Sequence, residues 1–193
     1  MNYLKLHLSG VLQYYSSISN TSLRDTFYTN ICPTRSAITG LIGSALGYQR
    51  NSKELSELTN KLVNIKYKLV NIDQFPITIM TDFQTVRSFT KYTTFQNRQK
   101  QGHLIDFNTV DGDIKNAEDP KNNIIKKVDY LQNADFNVYI GSDDCFLKEI
   151  YQAIQNPVYP LYLGRKCCIP NKPIVEDFIL YSEEDLKDVH NCS

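Results

Sequence analysis

Apolar and polar residues alternate along several short segments of the chain, and this period of two predicts β-strands. The first such segment, Tyr3–Leu8, begins close to the N-terminus and places its leucines on one face. Four further segments are predicted as strands: Val63–Val70, Phe75–Met80, Ile124–Leu131 and Phe136–Ile140. The last two are predicted to pair as a hairpin that is closed near Asn133 and Ala134.

The pattern changes to a helical period within residues 32–50, where apolar residues lie three and four positions apart. These residues line one face of the predicted helix: Ile38, Leu41, Ile42, Ala45 and Leu46. Pro33 suits the start of a helix and Gly47 suits its end. The segment therefore predicts a helix with a buried apolar stripe.

A second face of this helix has no bulky side chain and carries Gly40, Gly43, Ser44 and Gly47. An interior glycine costs a helix about 1 kcal/mol relative to alanine, so the pattern indicates close approach of another backbone or a nucleic-acid strand. Close packing on a sheet explains the same pattern, and one face can pack while the N-terminus stays open. Arg35 lies in the first turn, where a cation opposes the helix dipole. This placement favours an anion facing Arg35.

Two more helices are predicted, Ser52–Leu62 and Asp143–Ile154, the second capped by Asp143 or Asp144. Residues 9–32 are rich in Ser, Thr and Asn and are predicted as a loop. The resulting order of strand, helix, strand, strand and helix is typical of a ferredoxin-like α+β fold.

Residues 87–123 lack a steady apolar period and are too long for an ordinary connection, which predicts a functional or disordered segment. Cations and aromatic residues are interleaved there: Arg87, Phe89, Lys91, Tyr92, Phe95, Arg98 and Lys100. Cations that follow phosphates and rings that stack on bases are typical of single-stranded RNA binding. A solvated hairpin with a few apolar residues on its inner side is the alternative, but three aromatic residues in a polar loop favour binding.

A second candidate site is the run Leu163-Gly164-Arg165-Lys166, close to Tyr162. The glycine allows close approach of a backbone, and an arginine can bind a phosphate through two parallel hydrogen bonds. A turn with exposed charges is the alternative for this run. The formal net charge of the chain is zero, so its basic clusters are balanced by acids that collect toward the C-terminus.

Composition limits the class of protein. The chain is 41% hydrophobic and 22% charged, which is ordinary for a globular protein. No apolar run approaches the roughly 20 residues of a membrane span, and the first residues lack a signal-peptide pattern. We therefore expect a cytoplasmic protein without a membrane partner. Five cysteines without a Cys-x-x-Cys pair indicate reduced thiols, and no metal or cofactor is predicted.

Several segments occur in an order that is similar to one CRISPR-associated family. They are Leu6–Gly10, Leu12–Tyr15, Pro33–Ser36 with Gly40–Arg50, Asp82–Val86, Asp129–Val138 and Pro160–Pro170. This order resembles the CasD family of the RAMP superfamily, the subunit of the type I-E Cascade complex that binds the 5′ handle of crRNA. The glycine-rich helix and the Tyr-Leu-Gly-Arg run are the most specific pair.

The resemblance implies a ferredoxin-like (RRM/RAMP-type) domain made of residues 1–86 and 124–193, with residues 87–123 inserted as a thumb β-hairpin and a shortened C-terminal part. It implies a noncatalytic RNA-binding subunit for antiviral defence in the prokaryotic cytoplasm. Its partners would be the crRNA 5′ handle, the backbone and large Cascade subunits and, indirectly, target DNA. The RNA-binding residues would be Arg35, Ser36, Gly40, Gly43, Arg87, Lys91, Arg98, Lys100, Tyr162, Gly164, Arg165 and Lys166.

The alternative is a metal-independent endoribonuclease that processes pre-crRNA, as the homologous subunit of the type I-C subtype does with Tyr, Lys and His. Tyr92, Lys100 and His103 offer these groups, although a polar loop histidine is far commoner than a catalytic one. In type I-E systems a separate endoribonuclease cuts the RNA. We therefore expect no catalysis by this chain.

Overall fold

The computed structural model describes residues 1–17, 26–62, 64–70, 76–87, 123–187 and 189–191. Its strands are β1 (Asn2–Ser9), β2 (Leu12–Gln13), β3 (Thr26–Phe27), β4 (Asn64–Leu69), β5 (Thr78–Arg87), β6 (Asn123–Gln132), β7 (Asp135–Ser142), β8 (Leu180–Tyr181) and β9 (His190–Asn191). Its helices are α1 (Arg35–Leu46), α2 (Lys53–Lys61) and α3 (Asp144–Gln155), and Glu184–Leu186 form one 3₁₀ turn.

The central sheet has the strand order β8-β1-β7-β4-β9, and its neighbouring strands are antiparallel. Along the chain, β1 is followed by α1 and α2, then β4, β7, α3 and β8. This is the β-α-β-β-α-β order of a ferredoxin-like domain, with the first strand inside the sheet between β8 and β7. The predicted ferredoxin-like α+β fold is confirmed.

The hydrophobic core lies between this sheet and the helices. Alternate residues of β1 and β7 point toward the helices and are buried: Leu4, Leu6, Leu8, Phe136, Val138 and Ile140. Ile38 and Ile42 of α1 and Leu147 and Ile150 of α3 belong to the same buried cluster. Because full burial of one such side chain contributes about 1.5–3 kcal/mol, the alternation of β1 fixes which face of the sheet meets the helices.

The predicted hairpin of residues 124–140 is wrong, because its two strands enter different sheets. β7 pairs with β1, whereas β6 lies in a second sheet with β2, β3 and β5. Ser9 is opposite Asp135, and Leu12 is opposite Gln132, three residues further along each strand. The pairing thus continues in one register across a bend, where Asn133 adopts a left-handed φ of 61°.

The segment predicted as a loop, residues 9–32, contains the short strands β2 and β3, so that prediction is wrong in part. The reason is a buried polar residue. The Gln13 amide donates to the carbonyls of Leu8 at 3.1 Å and Ala134 at 2.6 Å, and it accepts from the Tyr15 hydroxyl at 2.6 Å. These bonds stabilise the bend at which the chain passes from the central sheet to the second sheet. The strand predicted at Phe75–Met80 instead begins at Thr78 and continues to Arg87.

The helix predictions agree with the structure. The side chain of Thr34 caps α1, and Gly47 ends that helix with a left-handed φ of 80°. The Ser52 side chain caps α2, and Asp143 occupies the cap position of α3. Each helix therefore begins at a residue type that favours an N-cap.

Contacts divide the chain into two units, Met1–Asp82 with Val128–Ser193, and Phe83–Lys127. In the smaller unit, the Lys127 ammonium lies 5.2 Å from the centre of the exposed Phe83 ring. Residues 88–122, most of the predicted thumb, lie outside the described residues. The thumb therefore stays a prediction.

Candidate nucleic-acid interface

The Leu-Gly-Arg-Lys run forms a tight loop against the end of β2. The Leu163 carbonyl accepts from the Tyr14 N–H at 3.0 Å, and the Leu163 N–H donates to the Cys168 carbonyl at 2.7 Å. Gly164 has a φ of 104°, and a Cβ at this position would lie 1.9 Å from the Tyr14 carbonyl oxygen. The close backbone approach that the sequence predicts at Gly164 is therefore made by the chain itself.

Arg165, which this loop carries, lies among three aromatic rings. Its guanidinium carbon is 4.5 Å from the centre of the Tyr14 ring, 5.6 Å from that of Phe27 and 6.0 Å from that of Tyr130. Each cation–π contact contributes on the order of 0.5–2 kcal/mol. We call these four residues the arginine cage. The cage holds the side chain half-buried, so Arg165 differs from a freely exposed turn charge.

The arginine cage carries one positive charge, that of the Arg165 guanidinium. No carboxylate within the described part of the chain forms a salt bridge with Arg165, and the next residue, Lys166, is exposed. A guanidinium has five N–H donors in a planar fork that fits phosphate oxygens. The arrangement can therefore bind an anion with a side chain that is already positioned.

Two groups beside the cage, the Cys168 thiol and the Tyr130 hydroxyl, have raised pKa values. The Cys167 sulfur lies 3.6 Å from the Tyr130 hydroxyl, and Cys168 is fully buried. Burial raises the pKa of the Cys168 thiol to about 12. Burial, helped by the hydrogen bond with Cys167, also raises the pKa of Tyr130 to about 12. Cys168 and Tyr130 are therefore neutral near pH 7 and do not offset the charge of Arg165.

The Cys168 thiol predicts a loss of stability in alkaline solution. Because its pKa rises from the ordinary value of 9.0 to about 12 in the folded chain, ionisation favours the unfolded chain once the pH exceeds 9. We expect a loss of about 2 kcal/mol by about pH 10.5. The Cys168→Ala variant lacks this ionisation. The difference between the free energies of unfolding of wild type and variant, measured in urea, should therefore decrease from about pH 8 to 10.5. A difference that stays constant over this range would contradict the prediction.

Arg35, predicted to face an anion, makes a contact within the chain. Its guanidinium donates to the Thr59 carbonyl in the last turn of α2, and its Nε is buried without a hydrogen-bond partner. Carbonyls at the end of a helix lack partners within the helix. Arg35 thus links α1 to α2, and its role in RNA binding stays a prediction.

Two glycines of the small helix face, Gly40 and Gly43, have different surroundings. A Cβ at Gly43 would lie 2.6 Å from Leu55 Cδ1, so this glycine allows α1 and α2 to pack closely. A Cβ at Gly40 would meet nothing within 4 Å, and Gly40 and Ser36 are both exposed. Packing therefore explains Gly43, whereas the face at Gly40 is open.

The other predicted residues are spread along the chain. Tyr162, three positions before Arg165, is half-buried. Arg87 ends β5, and its side chain is not described. The remaining predicted residues lie outside the described ranges: Lys91, Arg98 and Lys100, with Tyr92 and His103 of the enzyme alternative. The structure thus brings Gly164, Arg165 and Lys166 together in one loop.

The three rings of the cage are absent from the residues predicted as the site. Tyr14 and Tyr130 lie in segments that carry the family resemblance, and Phe27 lies in the segment predicted as a loop. The pairing of Gln13 with Leu131 brings the adjacent Tyr14 and Tyr130 together. That pairing cannot be read from either segment alone, so neither segment predicted the cage.

The described ranges lack two further features. They contain no group of three or more His, Cys, Asp or Glu that could hold a metal ion. In the same ranges, no helix has the length and apolar character required to cross a membrane.

The strand order and the helices on one face define a ferredoxin-like α+β domain. The model of the family described as CRISPR-associated protein (Cas_Cas5) matches residues 3–190. The chain therefore belongs to the Cas5 family of CRISPR-associated proteins.

Solved structures that are similar to the chain include the following two. One, described as "CRISPR RNA-guided surveillance complex", has a TM-score of 0.61 and 21% sequence identity, over 90% of this chain and 61% of that chain. The other, "Crystal structure of Cas protein", has a TM-score of 0.54 and 21% identity, over 96% of this chain and 65% of that chain. This chain thus spans less than two thirds of either relative. At this identity the likeness shows the fold. No curated protein matches the sequence significantly.

Proposed function

We propose that the chain is a noncatalytic subunit of a type I-E Cascade surveillance complex, in which it binds the 5′ handle of crRNA. The arginine cage carries this proposal, because Arg165 is held by three rings and is not neutralised by any acid in the described ranges. Membership of the Cas5 family supports it, and so does the order of segments that resembles the CasD family.

The mechanism is capture of the RNA backbone by a preorganised cation. The ring contacts restrict the guanidinium before RNA arrives, so less side-chain entropy is lost on binding. Two N–H groups of Arg165 would then donate to one phosphate, and the exposed Lys166 would approach a neighbouring phosphate. The open helix face at Gly40 would leave room for the strand.

The partners proposed with this function are the backbone and large subunits of Cascade, with target DNA reached through them. The similar fold of a chain from an RNA-guided surveillance complex supports this assignment. Co-expression with the other Cascade subunits should yield a crRNA-containing complex that retains this chain. A complex that forms at full yield without the chain would contradict the assignment.

Binding of handle RNA by the purified chain tests the proposed function directly. Fluorescence anisotropy should show binding that weakens with added salt. A plot of log Kd against the logarithm of the salt concentration should have a slope of about 0.7 for each phosphate contact. A scrambled RNA of equal length is the matched control, and it should bind more weakly. Equal binding of both RNAs, or no binding at low salt, would contradict handle recognition.

We also expect no cleavage of repeat RNA by the purified chain. Among the histidines, His7 has a described side chain, and its ring is paired with Asp135 at 2.5 Å on the sheet and does not belong to the cage. Incubation of repeat RNA with excess chain and EDTA, followed by gel electrophoresis, should leave the RNA intact. Defined products that disappear in the His103→Ala variant would establish the endoribonuclease alternative.

A further inference from the structure

The face of the central sheet opposite the helices carries a tyrosine between two lysines. Lys5 of β1 and Lys66 of β4 are both opposite Tyr139 of β7, on its two sides. Tyr3 lies in the adjacent row of β1, and Lys68 lies further along β4. We call these five residues the open face. Lysines beside aromatic rings on one sheet surface are typical of single-stranded nucleic-acid binding.

A segment near the C-terminus crosses this face. β8 pairs with β1 at one edge of the sheet, and β9 pairs with β4 at the opposite edge. Residues 182–187, which we call the strap, lie between these strands. Leu186 of the strap is 3% exposed and packs against Tyr3 and Tyr139. The strap therefore covers the rings that a base would otherwise reach.

The strap also places a carboxylate on the cations of the open face. Glu183 accepts hydrogen bonds from the Tyr3 hydroxyl and the Lys66 ammonium, yet its side chain is 60% exposed. These two bonds lower the pKa of Glu183, so the group stays ionised. A phosphate oxygen can accept from the same two donors. The strap thus presents an acid and an apolar side chain where a nucleotide would present its phosphate and base.

Among the described residues, the remaining charges of the face include lysines without a salt bridge and several acids. Within the described ranges, neither Lys5 nor Lys68 forms a salt bridge. The acid Asp135, at the end of β7, is already paired with His7 at 2.5 Å and with Lys172 at 3.7 Å. The grooves beside Lys5 and Lys66 are also lined by charged residues of both signs: Glu176, Asp177, Glu184 and Lys187. Lys68 is exposed on this face, and the Lys66 ammonium loses its carboxylate partner when Glu183 leaves.

We propose that the open face is a second binding surface for single-stranded RNA, which the strap occupies in the free chain and leaves when RNA binds. The surface belongs to the central sheet, whereas the arginine cage is formed by the 163–168 loop with rings from β3, β6 and the residue after β2. The two can therefore be tested separately, and the second surface stands whether or not the cage binds a crRNA handle.

The experiment measures binding of an oligouridine of about 12 nucleotides, which lacks a handle sequence, at about 50 mM salt. Leu186→Ala releases the strap and should tighten binding about threefold to tenfold, the effect of one further phosphate contact. Glu183→Gln keeps the strap packed and should give a smaller gain of the same sign. Glu149→Gln, on the exposed face of α3, removes the same charge and should change nothing.

A second substitution assigns the gain to the open face. Lys66→Ala in the Leu186→Ala background should remove the gain, whereas Arg165→Ala in that background should leave it. Lysine acetylation followed by mass spectrometry should show that oligouridine protects Lys5 and Lys66 but leaves Lys148 of α3 reactive. These results hold for variants whose thermal unfolding remains cooperative, and Glu183→Gln provides the test if Leu186→Ala does not fold.

Three results would overturn the proposal. The first is unchanged affinity in both strap variants, and the second is a gain that survives Lys66→Ala. The third is binding of a polyglutamate peptide as tightly as oligouridine by the Leu186→Ala chain, which would indicate a surface for acidic protein segments. Failure of handle recognition in wild type, with the strap effect intact, would instead refute the proposed function alone.

Discussion

Replacement of Gly164 by alanine is expected to destabilise the fold by about 3 kcal/mol or more, because two penalties coincide. The φ of 104° disfavours any residue with a Cβ, and that Cβ would lie 1.9 Å from the Tyr14 carbonyl oxygen. The obstacle is backbone that also bonds to Leu163 at 3.0 Å, so it cannot move without loss of that bond. Thermal unfolding should show a melting temperature lower by about 6–12 °C.

Two other glycines are matched controls for this prediction. A Cβ at Gly40 meets nothing within 4 Å, so Gly40→Ala should stabilise α1 by up to about 1 kcal/mol. At Gly43 the clash is with the flexible end of Leu55, at 2.6 Å, which can move. Gly43→Ala should therefore have an intermediate effect. If the Gly164→Ala chain had the same melting temperature as the Gly40→Ala chain, the loop would not be held against Tyr14.

The elements that could be predicted are those whose signal is local. The alternation of β1, the apolar stripe of α1 and its ending at Gly47 are written in neighbouring residues, and the structure has them near the predicted positions. Which strand pairs with which is not encoded in neighbouring residues. The period of two in β6 is the same whether this strand pairs with β7 or with β2. The alternation therefore could not show that β6 and β7 enter different sheets, and the predicted hairpin is wrong.

The candidate site follows the same division. Gly164, Arg165 and Lys166 are consecutive, so a local motif was sufficient to select them. The rings around Arg165 come from three separate segments, which the second sheet brings together. The strap was missed for a related reason, since acids near the C-terminus do not show which lysines they will contact.

Replacement of Arg165 by alanine is expected to weaken binding of handle RNA by about 1–3 kcal/mol, which is about a fivefold to 150-fold rise in Kd. The loss has two sources, a charge-assisted bond to phosphate and the prior positioning of the guanidinium by the cage. The slope of log Kd against log salt should fall by about 0.7, the value for one phosphate on a single strand. Anisotropy titrations of wild type and variant over a salt series measure both quantities.

Arg50→Ala is the matched control, because Arg50 is an exposed arginine and its removal changes the net charge equally. It should leave Kd within about twofold of wild type, since exposed charges act weakly and are screened by salt. Arg165→Lys keeps the charge but loses the planar fork and much of the stacking on Tyr14, so it should recover part of the affinity. Full recovery by lysine would show that charge alone binds the RNA, and equal losses for Arg50→Ala and Arg165→Ala would remove the cage from the interface. Thermal unfolding of each variant separates these outcomes from loss of the fold.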